Sequence, residues 1–353
     1  MIRGACWLAL AGVAGVAGCD AIPLGDGPRK AVLRAVDDEV IVPGYETVAA
    51  RAEELAAAAR ANPTLDAAAL ADLQTRWRAL RVAWMRTQAH RIGPVRDDLF
   101  ESRIAQWPVD IVEVEAIIAG TATIDRALID AQGGNKKGMG VAEYLLFGGV
   151  DDVNAARRRA YLGALLDALA AETAGLAAAW HDGYAVRFLA IGEDGAAFAD
   201  VKEGMDALVN ASVFMAENVA DGRLGKPLGS MTGGIPQPAL VESAWSDHGG
   251  ADLLAAYDGL ALILDDPADP EAGRLGALIA ARRPAVAARV RTELAAARAA
   301  VAAMPHPLTD AVGRRDPAVV AAWEAARALK MTYQSEVIAA LGATLSFNDN
   351  DGD

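Results

Sequence analysis

Glu143 is the residue whose surroundings demand most of it. It follows Met139 and Val141 and precedes the run Tyr144-Leu145-Leu146-Phe147, so its helix is buried on at least one side. A carboxylate buried there must be paired, protonated or exposed to a cleft, because an unpartnered buried charge is costly. The same spacing also fits a glutamate on the one wet face of an amphipathic helix. An imidazole three residues earlier would share its helix face and could share a cation with it. That position is Gly140, which offers no donor, and the zinc-hydrolase pattern His-Glu-x-x-His occurs nowhere in the chain.

Five further residues have side chains suited to chemistry, each with a plainer structural role. His90 and Arg91 precede the Gly93-Pro94 step at a helix end, where cations are favoured by the helix dipole. Arg91 is equally suited to pair with Glu143 or to hold an anionic ligand, and His90 could contribute a metal ligand. Asp110, after Trp107-Pro108, is a good N-cap. Glu242-Ser243 lies beside a helix start, and Ser243 has no local His or Asp to activate it as a nucleophile. Cysteine chemistry is excluded from the body, because Cys6 and Cys19 are the only cysteines.

The elements that must position these side chains read as helices. Tyr45 to Asn62 is alanine-rich and stops at Asn62-Pro63. Leu73, Trp77, Leu80 and Trp84 form one apolar stripe on a helix expected to end near Gly93-Pro94. Leu162, Leu165, Leu166, Leu169, Leu176 and Trp180 continue the helical period, followed by Val201 to Val219, Leu253 to Leu264, Pro284 to Ala303 and Pro317 to Leu341. Asp20 to Lys30 reads as a tether, and Gly183 to Gly195 and Gly222 to Gly234 read as loops. No alternation of apolar and polar residues is long enough for a sheet. The expected fold class is all-α, with antiparallel bundles.

Hydrophobic residues make up 53% of the chain but aromatics only 5%, which suits closely packed helices. The formal charge of −14 repels nucleic acid and anionic headgroups, so no nucleic-acid partner is expected. Residues 1–18 follow the plan of a secretory signal: Arg3, an apolar stretch too short to span a bilayer, then Val16-Ala17-Gly18-Cys19. The last four residues match a lipobox, so Cys19 is expected to be acylated and to tether the mature chain to a membrane. Asp20 favours the inner membrane, giving a cell-envelope lipoprotein facing the periplasm.

Four ordered segments carry a family resemblance: Trp84 to Pro94, Trp107-Pro108-Val109-Asp110, Gly138 to Gly148, and Arg223 to Gly229 followed by Val241-Glu242-Ser243. Together they resemble the imelysin family. The resemblance implies two four-helix bundles within residues 31–345, divided near 183–200, with functional residues at their interface. It also implies a link to iron uptake, with iron or another divalent cation as candidate cofactor and envelope iron-uptake proteins as candidate partners. Some family members are classed as metallopeptidases on a Gly-x-His-x-x-Glu signature, whose histidine position is Gly140 here. The expectation is therefore a non-catalytic binding protein with a site drawn from Glu143, Arg91, Asp110, Glu242 and Ser243, and with Glu143 and His90 as the candidate metal ligands. A metallopeptidase and a scaffold for a protein partner are the alternatives. Gly140→His should by this reading raise metal affinity. The acidic ending, residues 346–353, also looks like the family's, and it lacks the ligand positions of a calcium-binding EF-hand.

Overall fold

Aspartates open several of the long helices, because their carboxylates accept from the otherwise unbonded first-turn N–H groups. Asp66 accepts from the Ala69 N–H at 2.8 Å and opens Ala67–Arg86. Asp200 accepts from Glu203 at 2.9 Å and opens Val201–Glu217, and Asp316 opens Pro317–Thr332. Pro284 and Pro317 occupy first helical positions, where the missing N–H is no loss. The helix Val42–Ala61 stops at Asn62-Pro63, as its sequence predicts. The structure, a computed structural model, describes residues 25–148, 155–265 and 273–346. Cys19, Asp20 and the acidic tail from Phe347 onward lie outside the described residues.

Among the described residues there is no strand, and the helices close into two four-membered rings. Val42–Ala61, Ala67–Arg86, Gly138–Phe147 and Ala155–Ala179 form one. Val201–Glu217, Gly249–Leu264, Pro284–Ala302 and Pro317–Thr332 form the other. The rings meet where Ala67–Arg86 crosses Gly249–Leu264. A Cβ at Gly259 would lie 1.9 Å from the Arg86 carbonyl oxygen, so only glycine permits this approach. The stripe of Leu73, Trp77, Leu80 and Trp84 is wholly buried, and one continuous apolar core runs through both halves.

Three local readings change. The expected tether is already helical from Asp26, where Asp26–Val36 begins and Pro28 fits its first turn. This helix crosses to pack on Val201–Glu217 of the second half. The Gly183 region continues the helix: Trp180–Tyr184 forms a wide turn that runs into Ala185–Leu189. Trp180 stacks on Tyr184 and Phe188, with ring centroids 4.9 and 5.8 Å apart, and this packing outweighs the helix-breaking tendency of Gly183. Likewise Asn218–Gly225 is a wide helical turn rather than a loop, and turns follow it. The continuous helix Ala155–Leu189 is long and apolar enough to cross a membrane, but it packs along Val42–Ala61 with its leucines in the core.

Candidate functional site

The helix carrying Glu143 begins at Gly138, whose φ of +77° and contact with Ile104 require glycine; a Cβ would lie 2.5 Å from the Ile104 carbonyl oxygen. Trp77 donates its indole N–H to the Met139 carbonyl at 3.0 Å, pinning this helix to Ala67–Arg86. Glu143, 1% exposed, is thereby held against the chain that joins the second half. One carboxylate oxygen accepts both the backbone N–H and the hydroxyl of Ser246, at 2.9 and 2.8 Å.

From Ser246 a buried polar network spreads across the junction. Ser246 Oγ also lies 3.2 Å from the Ser243 carbonyl, and the Ser243 hydroxyl donates to Asp252 Oδ2 at 2.7 Å. Arg81 donates from Nε to Asp252 and from Nη2 to Glu242, both at 2.8 Å. Arg223 lies 3.0 Å from the same Glu242 oxygen. Arg81 comes from the first half, Asp252 and Glu242 from the second, so the network stitches the two together.

Burial sets the protonation states. It raises the Glu143 carboxyl from the ordinary 4.5 to about 7; the Ser246 hydrogen bonds and Arg81 offset it in part, and Asp252 adds to it. Burial also works to raise Glu242, but Arg223 and Arg81 overcome it and hold that carboxyl below its ordinary value. Burial works against the charged form of Arg81 too; Asp252 and Glu242 outweigh it, leaving the guanidinium more firmly protonated.

Two cavities border this network. A small one of about 10 Å³, the size of a single water, lies among Trp77, Arg81, Trp107, Gly140, Glu143 and Glu242. A cleft of about 1250 Å³ shares Arg81, Trp107 and Glu242 with it and extends along Arg91, Phe214 and Trp323. The cleft lies between the two helical halves, with Arg91 and Trp84 on one wall and Phe214 and Trp323 on the other.

Of the residues singled out in the sequence, Glu143, Glu242 and Ser243 come together. Ser243 is no nucleophile in waiting, since its hydroxyl is committed to Asp252. Arg91 lines the cleft but pairs with Glu101 at 2.6 Å rather than with Glu143, donates to the Trp84 carbonyl at 2.9 Å, and lies over the Trp84 ring. Asp110 caps Ile111–Ala119 by accepting from the Glu113 N–H and borders neither cavity. His90 does not join Glu143. The α-helix stops at Arg86, and the tighter turn Thr87–His90 carries His90 inward against Tyr45, ring centroids 5.5 Å apart. Burial, reinforced by Arg91, lowers its pKa to about 3. Arg81, Ser246, Asp252 and Arg223 were not anticipated. Arg81 was legible, because it lies four residues after Trp77 and three before Trp84, inside the apolar stripe.

These residues do not fit a resident transition metal. Among the described residues no three His, Cys, Asp or Glu side chains converge. Glu242 and Asp252 are held by guanidinium groups, and a cation beside Glu143 would meet the field of Arg81. The place of an imidazole at Gly140 is taken: a Cβ there would lie 2.8 Å from a Val109 methyl. This overrules the expectation for Gly140→His. That variant is expected to lose about 1–3 kcal/mol through overpacking and to gain no metal site. Thermal unfolding and zinc titration check it, with Gly140→His/Val109→Ala as the variant that makes room. Stoichiometric zinc binding by the single variant, lost on adding Glu143→Ala, would show the packing to be more yielding than described.

The comparisons with known proteins agree with this all-helical fold. A family model described as Imelysin matches residues 41–334. The chain is 25% identical over 311 residues to "Iron-regulated protein A" of Synechococcus elongatus, covering 85% of this chain and 83% of that one. Its fold is shared with the crystal structure of a putative iron-regulated protein A precursor from Parabacteroides distasonis, at a TM-score of 0.80 and 20% identity, covering 91% of this chain and 97% of that one. It is also shared with an imelysin-like protein from Psychrobacter arcticum, at a TM-score of 0.76 and 18% identity, covering 93% and 99% of the two chains. With most of its length matched by the family model and its paired bundles matched by both solved structures, this chain belongs to the imelysin family.

Proposed function

We propose that this protein is a non-catalytic, membrane-tethered component of the bacterial cell envelope, linked to iron uptake, that binds a ligand in the cleft between its two helical halves. The cleft carries the reading: at about 1250 Å³ it exceeds the usual size of a small-molecule site, and a rigid buried network forms part of its wall. The commitments of the candidate groups support a non-catalytic reading. Ser243 is tied to Asp252, Glu242 to two arginines, and the signature histidine is Gly140. The name of the cyanobacterial relative supports the iron link.

Ligand binding to the folded state raises thermal stability by mass action. The melting temperature of the purified protein is expected to rise when the small-molecule fraction of an iron-starved culture is added. No rise with that fraction would remove the binding reading. Cleavage of a peptide library, abolished by chelator, would restore the metallopeptidase. The tether is tested separately. Cys19→Ala should move the protein from the membrane to the soluble fraction, and mass spectrometry of the wild-type N-terminus should show acylated Cys19. Retention of the variant in carbonate-washed membranes would contradict the tether.

A further inference from the structure

The cleft differs in charge from the molecule that contains it. Over the whole chain 33 Lys and Arg stand against 47 Asp and Glu, whereas the cleft is lined by seven Lys or Arg against four carboxylates. An acidic protein that concentrates cationic groups in one concavity focuses field there and draws anions into it.

Several of these cations have their bonding already assigned. Arg81, Arg91 and Arg223 hold Glu242, Asp252 and Glu101, and Lys330 lies 2.8 Å from Asp221. Three others do not. Arg96, Lys226 and Arg327 form no ion pair and no side-chain hydrogen bond among the described residues, and Arg96 acts on Glu101 only through its field. Arg96 lies over the Phe214 ring and Arg327 over the Trp323 ring, each 5.0 Å from the centroid. A guanidinium attracted to an aromatic face spends none of its N–H groups on an ion pair, and its fork matches a carboxylate. The cleft rim adds apolar surface, with Leu99 63% and Met231 74% exposed. Charged forks around an apolar rim suit a carbon skeleton bearing several carboxylates.

We infer that the cleft takes a multiply charged carboxylate anion, and that iron, where this protein handles it, enters as cargo inside such an anionic chelate rather than as a bare cation. This holds only if the cleft binds a ligand at all, as proposed above. It also accounts for the poor fit to a resident metal: a chelate brings its own carboxylates, so the protein needs donors to the anion and not ligands to the iron.

Calorimetric titration of the full-length protein in detergent at low salt tests it with four probes: citrate, ferric citrate, ferrous ion under anaerobic conditions, and maltotriose as a neutral control. Ferric citrate is expected to bind, with affinity falling as salt is raised. Arg96→Gln/Lys226→Gln/Arg327→Gln should weaken it on the order of 100-fold, since charge-assisted hydrogen bonds are lost from partly exposed side chains. The variant's melting temperature should be unchanged. Ferric citrate binding more tightly than citrate identifies the chelate as the cargo; equal affinity keeps the anion site and overturns the iron half. Binding that the triple variant leaves intact, or ferrous ion taken up while both citrate forms are refused, overturns the inference. Maltotriose binding alone overturns it too, while leaving the cleft-binding reading in place. If no probe gives heat, the anion inference fails, and the melting shift with the culture fraction decides the broader reading separately.

Discussion

Arg81→Met is expected to cost the folded protein about 3–5 kcal/mol, the largest single effect of any substitution in the network. Arg81 is 6% exposed and bridges Asp252 and Glu242, so its removal leaves two inward carboxylates without the cation that lies between them. Arg223 still reaches Glu242, but no cation other than Arg81 pairs with Asp252 among the described residues. Arg81→Lys keeps the charge and loses the two-pronged geometry, so it should fall between methionine and wild type. The pH dependence has a definite sign. Glu242 is depressed in the folded protein, so its contribution is present above its unfolded pKa and is lost as pH falls through its folded value. Part of that contribution comes from Arg81. The gap between wild type and Arg81→Met is therefore widest near neutrality and narrows in acid. Urea unfolding at two pH values measures it. A methionine variant within about 0.5 kcal/mol of wild type at neutral pH, the range of ordinary surface substitutions, would show that the network does not join the halves.

Glu143→Gln should do the opposite and stabilise the protein in alkali. The folded carboxyl is raised from the ordinary 4.5 to about 7, so the folded state holds its proton more tightly than the unfolded state does. Stability from this group is thus highest below about 4.5, declines as pH rises, and carries its full penalty above about 7. A displacement of that size corresponds to roughly 3 kcal/mol at most. Glutamine keeps an oxygen to accept from Ser246 and never ionises. Its advantage should be about 2–3 kcal/mol at pH 8 and close to nothing at pH 4.5. Chemical denaturation at both pH values decides this. Equal stabilities at pH 8 would mean that Glu143 ionises without penalty and is wetter than its burial indicates.

The helical class was legible because apolar spacing survives any tertiary arrangement, and Trp77 and Trp84 are buried as their stripe requires. Glu143, Glu242 and Ser243 were legible for a related reason: polar side chains beside apolar runs must be partnered somewhere. The pairing of Arg91 with Glu101 and the inward turn of His90 were not legible, because the helix tightens after Arg86 and one changed turn directs both side chains. The filled space at Gly140 depends on Val109, 31 residues away in the chain, and no local pattern encodes that contact. The cationic cleft was hidden for the same reason. Arg96, Lys226 and Arg327 come from three separate segments of an acidic chain, and only the packing of the halves brings them to one cavity.

Native mass spectrometry of the protein taken from iron-starved cells tests the central claim most directly. Wild type should carry a small molecule that denaturation releases, and the Arg96→Gln/Lys226→Gln/Arg327→Gln variant should carry much less of it. A wild-type protein that flies with no small molecule bound, and cleaves peptides in a chelator-sensitive reaction, would contradict the account.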